Sequence, residues 1–262
     1  MSQINLLELS DFWWLSENEI EDELFTGMGH HAPLADSDDP LPLNAWFHSL
    51  SENMQLSCTY ELYPLDFLTK WRSVCNNTNV YRTLKIFTSN QGVARFLGPF
   101  LVDIDSSNWK DGYEENLGDA LDVARKVVHF LIVDWGLRAG DIRIFFSGRK
   151  GFNIEIRPQA LGIVGSVADQ LMLSAKKRQE IVEQLDVCNN TISSAGTRID
   201  PVYGDRFNNY ELKHPYIRLH DSWNKWARNN GITCARRKIE ISLDKLFDST
   251  VDEICARAEE PG

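Results

Sequence analysis

Asp103 and Asp105 stand one residue apart at the end of an apolar run, FLVDID, residues 100–105. The Phe, Val and Ile content predicts a strand, and side chains at i and i+2 of a strand leave on the same face. The roots of the two carboxylates are then about 6–7 Å apart. Like charges about 5 Å apart at an effective dielectric near 20 repel by about 3 kcal/mol. A divalent cation removes that repulsion and suits carboxylate oxygens. A plainer reading has one carboxylate capping a turn and the other in water.

Three further stretches carry groups for the same chemistry. FFSGRKGFNIEI (145–156) holds a turn in which Ser147, Gly148 and Gly151 can turn backbone N–H groups toward an anion. Arg149 and Lys150 add positive charge there, and Asn153 follows on the outgoing strand. The plain alternative is a glycine-containing β-turn with solvated basic residues, and the GxxxxGK[ST] spacing of a Walker loop is missing. TRIDPVY supplies a third carboxylate, Asp200, after an apolar residue. YIRLHDSWNKW supplies Arg218, His220, Ser222, Asn224 and Lys225, a dense set of donors for phosphate oxygens.

The elements that must position these groups are legible from periodicity. After the aspartate strand, LGDALDVARKVVHFLIVDWG spaces Leu121, Ala124, Val128 and Leu131 at helical intervals. Next comes a strand, a turn, and a second strand in which Phe152, Ile154 and Ile156 alternate with Asn153, Glu155 and Arg157. A polar helical stretch covers 167–187, and RKIEIS forms a short strand ahead of a helix at LDKLFD. Upstream, residues 1–44 read as an acidic extension with a short helix or two and a Gly/Pro/Asp-rich linker at 27–44. His30 and His31 fall there as loop residues, and 45–97 reads as an α/β module.

Charge is unevenly spread. The net charge is −11, yet residues 1–70 hold thirteen Asp/Glu against the single Lys70. Residues 206–240 hold eight basic residues against three acidic ones, which reads as a basic patch or a solvated face. The acidic N-terminus is either a solvated tail or a cover for a basic groove or partner. Five scattered cysteines without a CxxC pair argue against a disulfide framework or a zinc site, and for a reduced, cytoplasmic setting. No apolar run approaches the roughly 20 residues that span a bilayer, so no membrane partner is expected. The start of the chain lacks the basic residues of a secretory signal.

The order of these motifs resembles the catalytic core of the archaeo-eukaryotic primase superfamily, which includes primase-polymerases of plasmids, viruses and repair systems. The family's apolar strand ending in DxD is similar to FLVDID, and its SGxxGFH motif to SGRKGFN. Its apolar-Asp motif is similar to RID at 198–200, and its Arg-Leu-x-x-Ser stretch to RLHDSWNK. The similarity spans roughly residues 80–248. It implies an α+β fold: a mixed or antiparallel, RRM-like sheet flanked by helices, plus an N-terminal α/β module. The expected divisions are a 1–44 extension, a 45–97 module, a 98–250 catalytic module and a 251–262 tail.

Carried over residue by residue, the resemblance implies that Asp103, Asp105 and Asp200 hold two Mg²⁺ or Mn²⁺ ions. Ser147, Arg149, Lys150 and Asn153 would contact the triphosphate of a nucleoside triphosphate, helped by Arg218, Ser222 and Lys225. Asn153 departs from the family, which carries histidine there; asparagine still donates but stays neutral. The family's zinc knuckle and a following helicase are also missing, so a helicase or accessory subunit becomes an expected partner. The implied activity is template-directed nucleotidyl transfer, as a primase or DNA polymerase acting on a single-stranded or primed template. The alternative is a weakened or inactive subunit that binds nucleotide or single-stranded nucleic acid in a replication, repair or defence assembly. A weaker third reading is a metal-dependent nuclease using the same aspartates. Trp109, Tyr113, Trp223 and Trp226 lie beside the motifs and either stack bases or pack in the core, core packing being the expectation for at least half of them.

Overall fold

Phe100, Val102 and Ile104 alternate with Leu101, Asp103 and Asp105, and that alternation repeats in the strands on either side. A strand with one apolar row must bury it, and its neighbours must bury theirs in the same layer. The computed structural model describes residues 13–14, 25–30, 41–42, 61–64, 80–87, 94–105, 117–149, 151–185, 198–200, 216–224 and 236–260.

In chain order the first strands are β1 (Phe25–His30), β2 (Leu41–Pro42), β3 (Glu61–Pro64), β4 (Val80–Phe87) and β5 (Ala94–Leu97). Then come β6 (Phe100–Asp105), helix α1 (Leu117–Val133), β7 (Ile142–Phe146), β8 (Gly151–Ile156) and helix α2 (Val167–Gln184). Strands β9 (Arg198–Asp200), β10 (Tyr216–Arg218), β11 (Trp223–Asn224), β12 (Arg236–Arg237) and β13 (Ile239–Ile241) follow. Helices α3 (Leu243–Asp248) and α4 (Val251–Glu259) close the described chain. The class is mixed α and β with antiparallel sheets. Among the described residues, no helix is long and apolar enough to cross a membrane.

The central sheet runs β13-β7-β8-β6-β9, with every neighbouring pair antiparallel. Its connectivity over β6 to β9 is strand, helix, strand, strand, helix, strand. Ile104, Phe152, Phe146 and Ile239 sit side by side in register, as do Val102, Ile154, Ile144 and Ile241. All eight are buried, and α1 covers this face with Leu121, Ala124, Val127, Val128 and Leu131. Burying side chains of this size contributes about 1.5–3 kcal/mol each, so this layer is the main core.

The second sheet is built from β10-β4-β1-β2, with β3 also on β1 and β5 also on β4. Two elements from late in the chain join it. β10 pairs with β4, and α2 packs on β5, where Gln170 accepts a 2.7 Å hydrogen bond from the Leu97 backbone N–H. Helix α2 starts at a capping box, Ser166 with Asp169.

Two N-terminal expectations change. The linker read at 27–44 contributes β1, which pairs with β2, β3 and β4, so His30 ends a strand; His31 lies outside the described residues. The glycines in FTGMGH hid the strand, because its support is the backbone of the eight-residue β4 and not its own propensity. Trp13 and Trp14, inside the acidic extension, are buried against the body. At the other end, the tail expected over 251–262 carries α4, which buries Ile254, Cys255 and Ala258. Its sequence signal was the capping box of Thr250 with Glu253.

Candidate functional site

Opposite the apolar face, the register of the central sheet draws one continuous row. Asp200, Asp103, Asn153, Phe145 and Glu240 are cross-strand partners on β9, β6, β8, β7 and β13. Such partners share a face, with Cβ atoms about 4.5–5.5 Å apart. Asp105 lies two residues along β6 on that face, opposite Gly151 on one side and Arg198 on the other. Asp103 and Asp200, 97 positions apart along the chain, are thus brought opposite by backbone pairing alone. The side chain of Asp200 lies outside the described residues.

The carboxylate pair is largely withdrawn from water. Asp105 is 7% exposed, and Asp103 is half-buried. Asn153, also 7% exposed, donates from Nδ2 to Asp103 Oδ1 at 2.6 Å. A carboxylate accepts only, so it is the amide N–H that faces it.

The adjacent turn, residues 147–151, is shaped by two glycines that nothing else can replace. A Cβ on Gly151 would drive into the Ile104 carbonyl oxygen on β6. Gly148 has φ +76°, and a Cβ there would lie 2.8 Å from the Arg237 carbonyl carbon. Ser147 closes the hairpin: its N–H donates to the Gly151 carbonyl at 2.9 Å. Its hydroxyl oxygen accepts from the N–H groups of Arg149 and Gly151, each at 3.3 Å. The turn therefore sits at the end of β8 beside Asp105, with Arg149 partly exposed on it. Lys150 lies outside the described residues.

Arg218 and Ser222 belong to a different neighbourhood. Arg218 is in β10 on the second sheet and donates from Nη1 to the Trp223 carbonyl at 3.2 Å. Ser222 is buried and donates its hydroxyl to the Leu219 carbonyl at 2.8 Å. Lys225, Trp109, Tyr113 and Trp226 lie outside the described residues, as does the side chain of Asn224. Trp223 is half-buried, with the Arg237 guanidinium 5.7 Å from its ring centroid.

Part of the basic patch read at 206–240 is internal. Arg236, Arg237 and Lys238 are all buried, and each has an acidic partner: Glu259 at 2.9 Å, Asp221 at 3.2 Å and Glu155 at 2.9 Å. Counting charges along a chain does not reveal which ones the fold pairs off.

Among the solved structures, the chain is similar to the polymerase domain from Mycobacterium tuberculosis ligase D in complex with DNA. The identity is 14% and the TM-score 0.40, over 90% of this chain and 80% of that one. No family model matches the chain, and no curated protein does. Residue roles therefore rest on the register and bonds of this chain.

The donors present suit a hard divalent cation. They are oxygen atoms only, the Asp103 and Asp105 carboxylates on one strand face, with Asp200 at the register position across from Asp103. Among the described residues no group of three His, Cys, Asp or Glu side chains surrounds a common point.

Sequence reasoning missed a buried hub two residues from Asn153. Lys238, 1% exposed, donates to Glu155 at 2.9 Å and to the Arg218 carbonyl at 3.1 Å, with Nζ 4.3 Å from the Phe145 ring centroid. Trp13 donates its indole N–H to the other Glu155 oxygen at 3.3 Å. The Arg143 and Arg157 guanidinium groups lie 5.3 and 5.7 Å from the Trp13 ring centroid. The available signal was phase, since Glu155 shares one face of β8 with Asn153 and alternates with the apolar Ile154 and Ile156.

Proposed function

We propose that this chain is a template-directed nucleotidyltransferase of the primase-polymerase type. The observation that carries the reading is the cross-strand row Asp200–Asp103–Asn153 with Asp105 beside it, at the strand ends that meet the SGRKG turn. The order strand-helix-strand-strand-helix-strand, with neighbours β9-β6-β8-β7, supports an RRM-like layout for the catalytic module. Without a cation, clustering carboxylates on one half-buried face is costly, which favours a working site over a relic.

Asp103, Asp105 and Asp200 would hold Mg²⁺ or Mn²⁺. When bound, such ions neutralise phosphate charge and favour the ionised form of an attacking hydroxyl. Arg149 on the turn that Ser147 fixes, and Lys150 next to it in the sequence, would supply positive charge to the triphosphate of an incoming nucleotide. By the motif resemblance Arg218 and Lys225 would add positive charge for nucleotide or template, whereas Ser222 is buried with its hydroxyl on the Leu219 carbonyl. In the reaction the primer 3′-hydroxyl oxygen bonds to the α-phosphorus, the bond to pyrophosphate breaks, and the hydroxyl proton leaves to solvent.

The test uses the full chain, a primed template, labelled nucleoside triphosphates and Mn²⁺, beside an Asp103→Ala/Asp105→Ala variant. Primer extension that the variant loses is the expected result. Binding without any chemistry would instead make it an accessory nucleic-acid or nucleotide subunit. Shortened primers would make it a nuclease.

A further inference from the structure

We infer that Asn153 is a positioning residue for the cation cradle: it fixes the Asp103 carboxylate and is not chiefly a triphosphate contact. The inference rests on the reading of Asp103 as a ligand. Its ground is the 2.6 Å hydrogen bond from Asn153 Nδ2 to Asp103 Oδ1, in which the amide N–H is the donor. The two residues are direct cross-strand partners, so the bond spans adjacent strands and closes with no slack.

The strand that carries Asn153 is held on both sides of it. At Gly151 the β8 backbone meets the Ile104 carbonyl too closely to admit a side chain. At Glu155 the same face is anchored by Lys238 and by the Trp13 indole. Asn153 itself is 7% exposed, with Phe145 as its partner on β7. Its amide therefore has little freedom to reorient, and the carboxylate it grips inherits that order. Ligating carboxylates held by a hydrogen-bonding neighbour bind more tightly, because the ligand geometry is settled before the ion arrives.

The chemistry of the residue fits this role. A neutral amide orients a carboxylate without opposing a cation, and it does not titrate near neutral pH. A donor that became charged at the same place would compete with the ion for Asp103.

The experiment is a titration of the full chain with Mn²⁺ alone, without nucleotide, reading free Mn²⁺ by electron paramagnetic resonance. Asn153→Leu keeps the volume and removes the donor; Asn153→Ser keeps a donor and gives up volume. Positioning predicts that Asn153→Leu raises the Mn²⁺ Kd about 10–100-fold, whereas Asn153→Ser recovers part of the loss. Circular dichroism and the melting temperature establish that each variant is folded, and Asn153→Ala replaces the leucine variant should that one fail to fold. A parallel titration with dATP in EDTA should give the same Kd for the wild type and Asn153→Leu. Unchanged Mn²⁺ affinity with weakened dATP binding overturns the inference and leaves the aspartate cradle standing. Mn²⁺ affinity that tracks volume, kept by leucine and lost by serine, also overturns it. A wild-type chain that binds no Mn²⁺ overturns the cradle and this inference together.

Discussion

The two faces of the central sheet use the same strands and reach order by opposite means. One face stacks Val102, Ile154, Ile144 and Ile241 in a row and seals them beneath α1. Any apolar residue of similar volume would serve there, because burial is non-directional. The other face carries Asp103, Asp105, Asn153 and Glu155, and it is also largely buried. Nothing there is interchangeable. Polar groups there are held by specific donors, Asp103 by Asn153 and Glu155 by Lys238 and Trp13. A face built on pairing tolerates loss of both partners better than loss of one.

That contrast can be broken most forcefully at Lys238. Lys238→Met leaves the Glu155 carboxylate buried without its cation and is expected to cost about 3–5 kcal/mol in denaturant unfolding. Lys238→Met/Glu155→Leu should recover most of that loss. If the double variant is as unstable as the single one, the pair is no more than packing.

A smaller effect on the fold is expected at Asp105. Asp105→Asn keeps the side-chain shape, removes one carboxylate of the proposed cradle, and should abolish primer extension while lowering the melting temperature less than Lys238→Met does. A stability loss as large as that of Lys238→Met would make Asp105 chiefly structural.

The smallest effect lies away from the sheet, at the two capping boxes. The Ser166 hydroxyl and N–H bond Asp169, and those of Thr250 bond Glu253, holding both carboxyls below their ordinary range. A carboxyl with a lowered folded-state pKa contributes stability that is present above its unfolded value and lost as pH falls through the folded one. The melting temperature should therefore decline on acidification below the ordinary carboxylate range. Ser166→Ala with Thr250→Ala should flatten that decline, and an unchanged slope would assign the acid response elsewhere.

How much could be read beforehand follows the same division. Periodicity marked β6, α1, β7, β8 and β13, since their apolar rows repeat at two or at three to four residues. The aspartate pair was visible because two carboxylates interrupt such a row. Pairing was not visible. Nothing in the spacing of Lys238 and Glu155, 83 residues apart, announces a buried ion pair. Nothing in MSQINLLELSDFWW distinguishes an anchored tryptophan from one in a loose tail. Likewise β1 and β10 are held by the backbone of β4, whose contribution is indifferent to side-chain pattern.

The docking of Trp13 and Trp14 has a practical consequence for handling the protein. A shortened form beginning anywhere after residue 14 loses the indole that caps Glu155 and the ring 4.7 Å from the Arg82 guanidinium. Trimming the acidic N-terminal segment would thus also strip two plugs from the folded body. Lowered yield or solubility of such a truncate would report on those plugs, and charge-neutralising substitutions that spare both tryptophans are the cleaner probe of that segment.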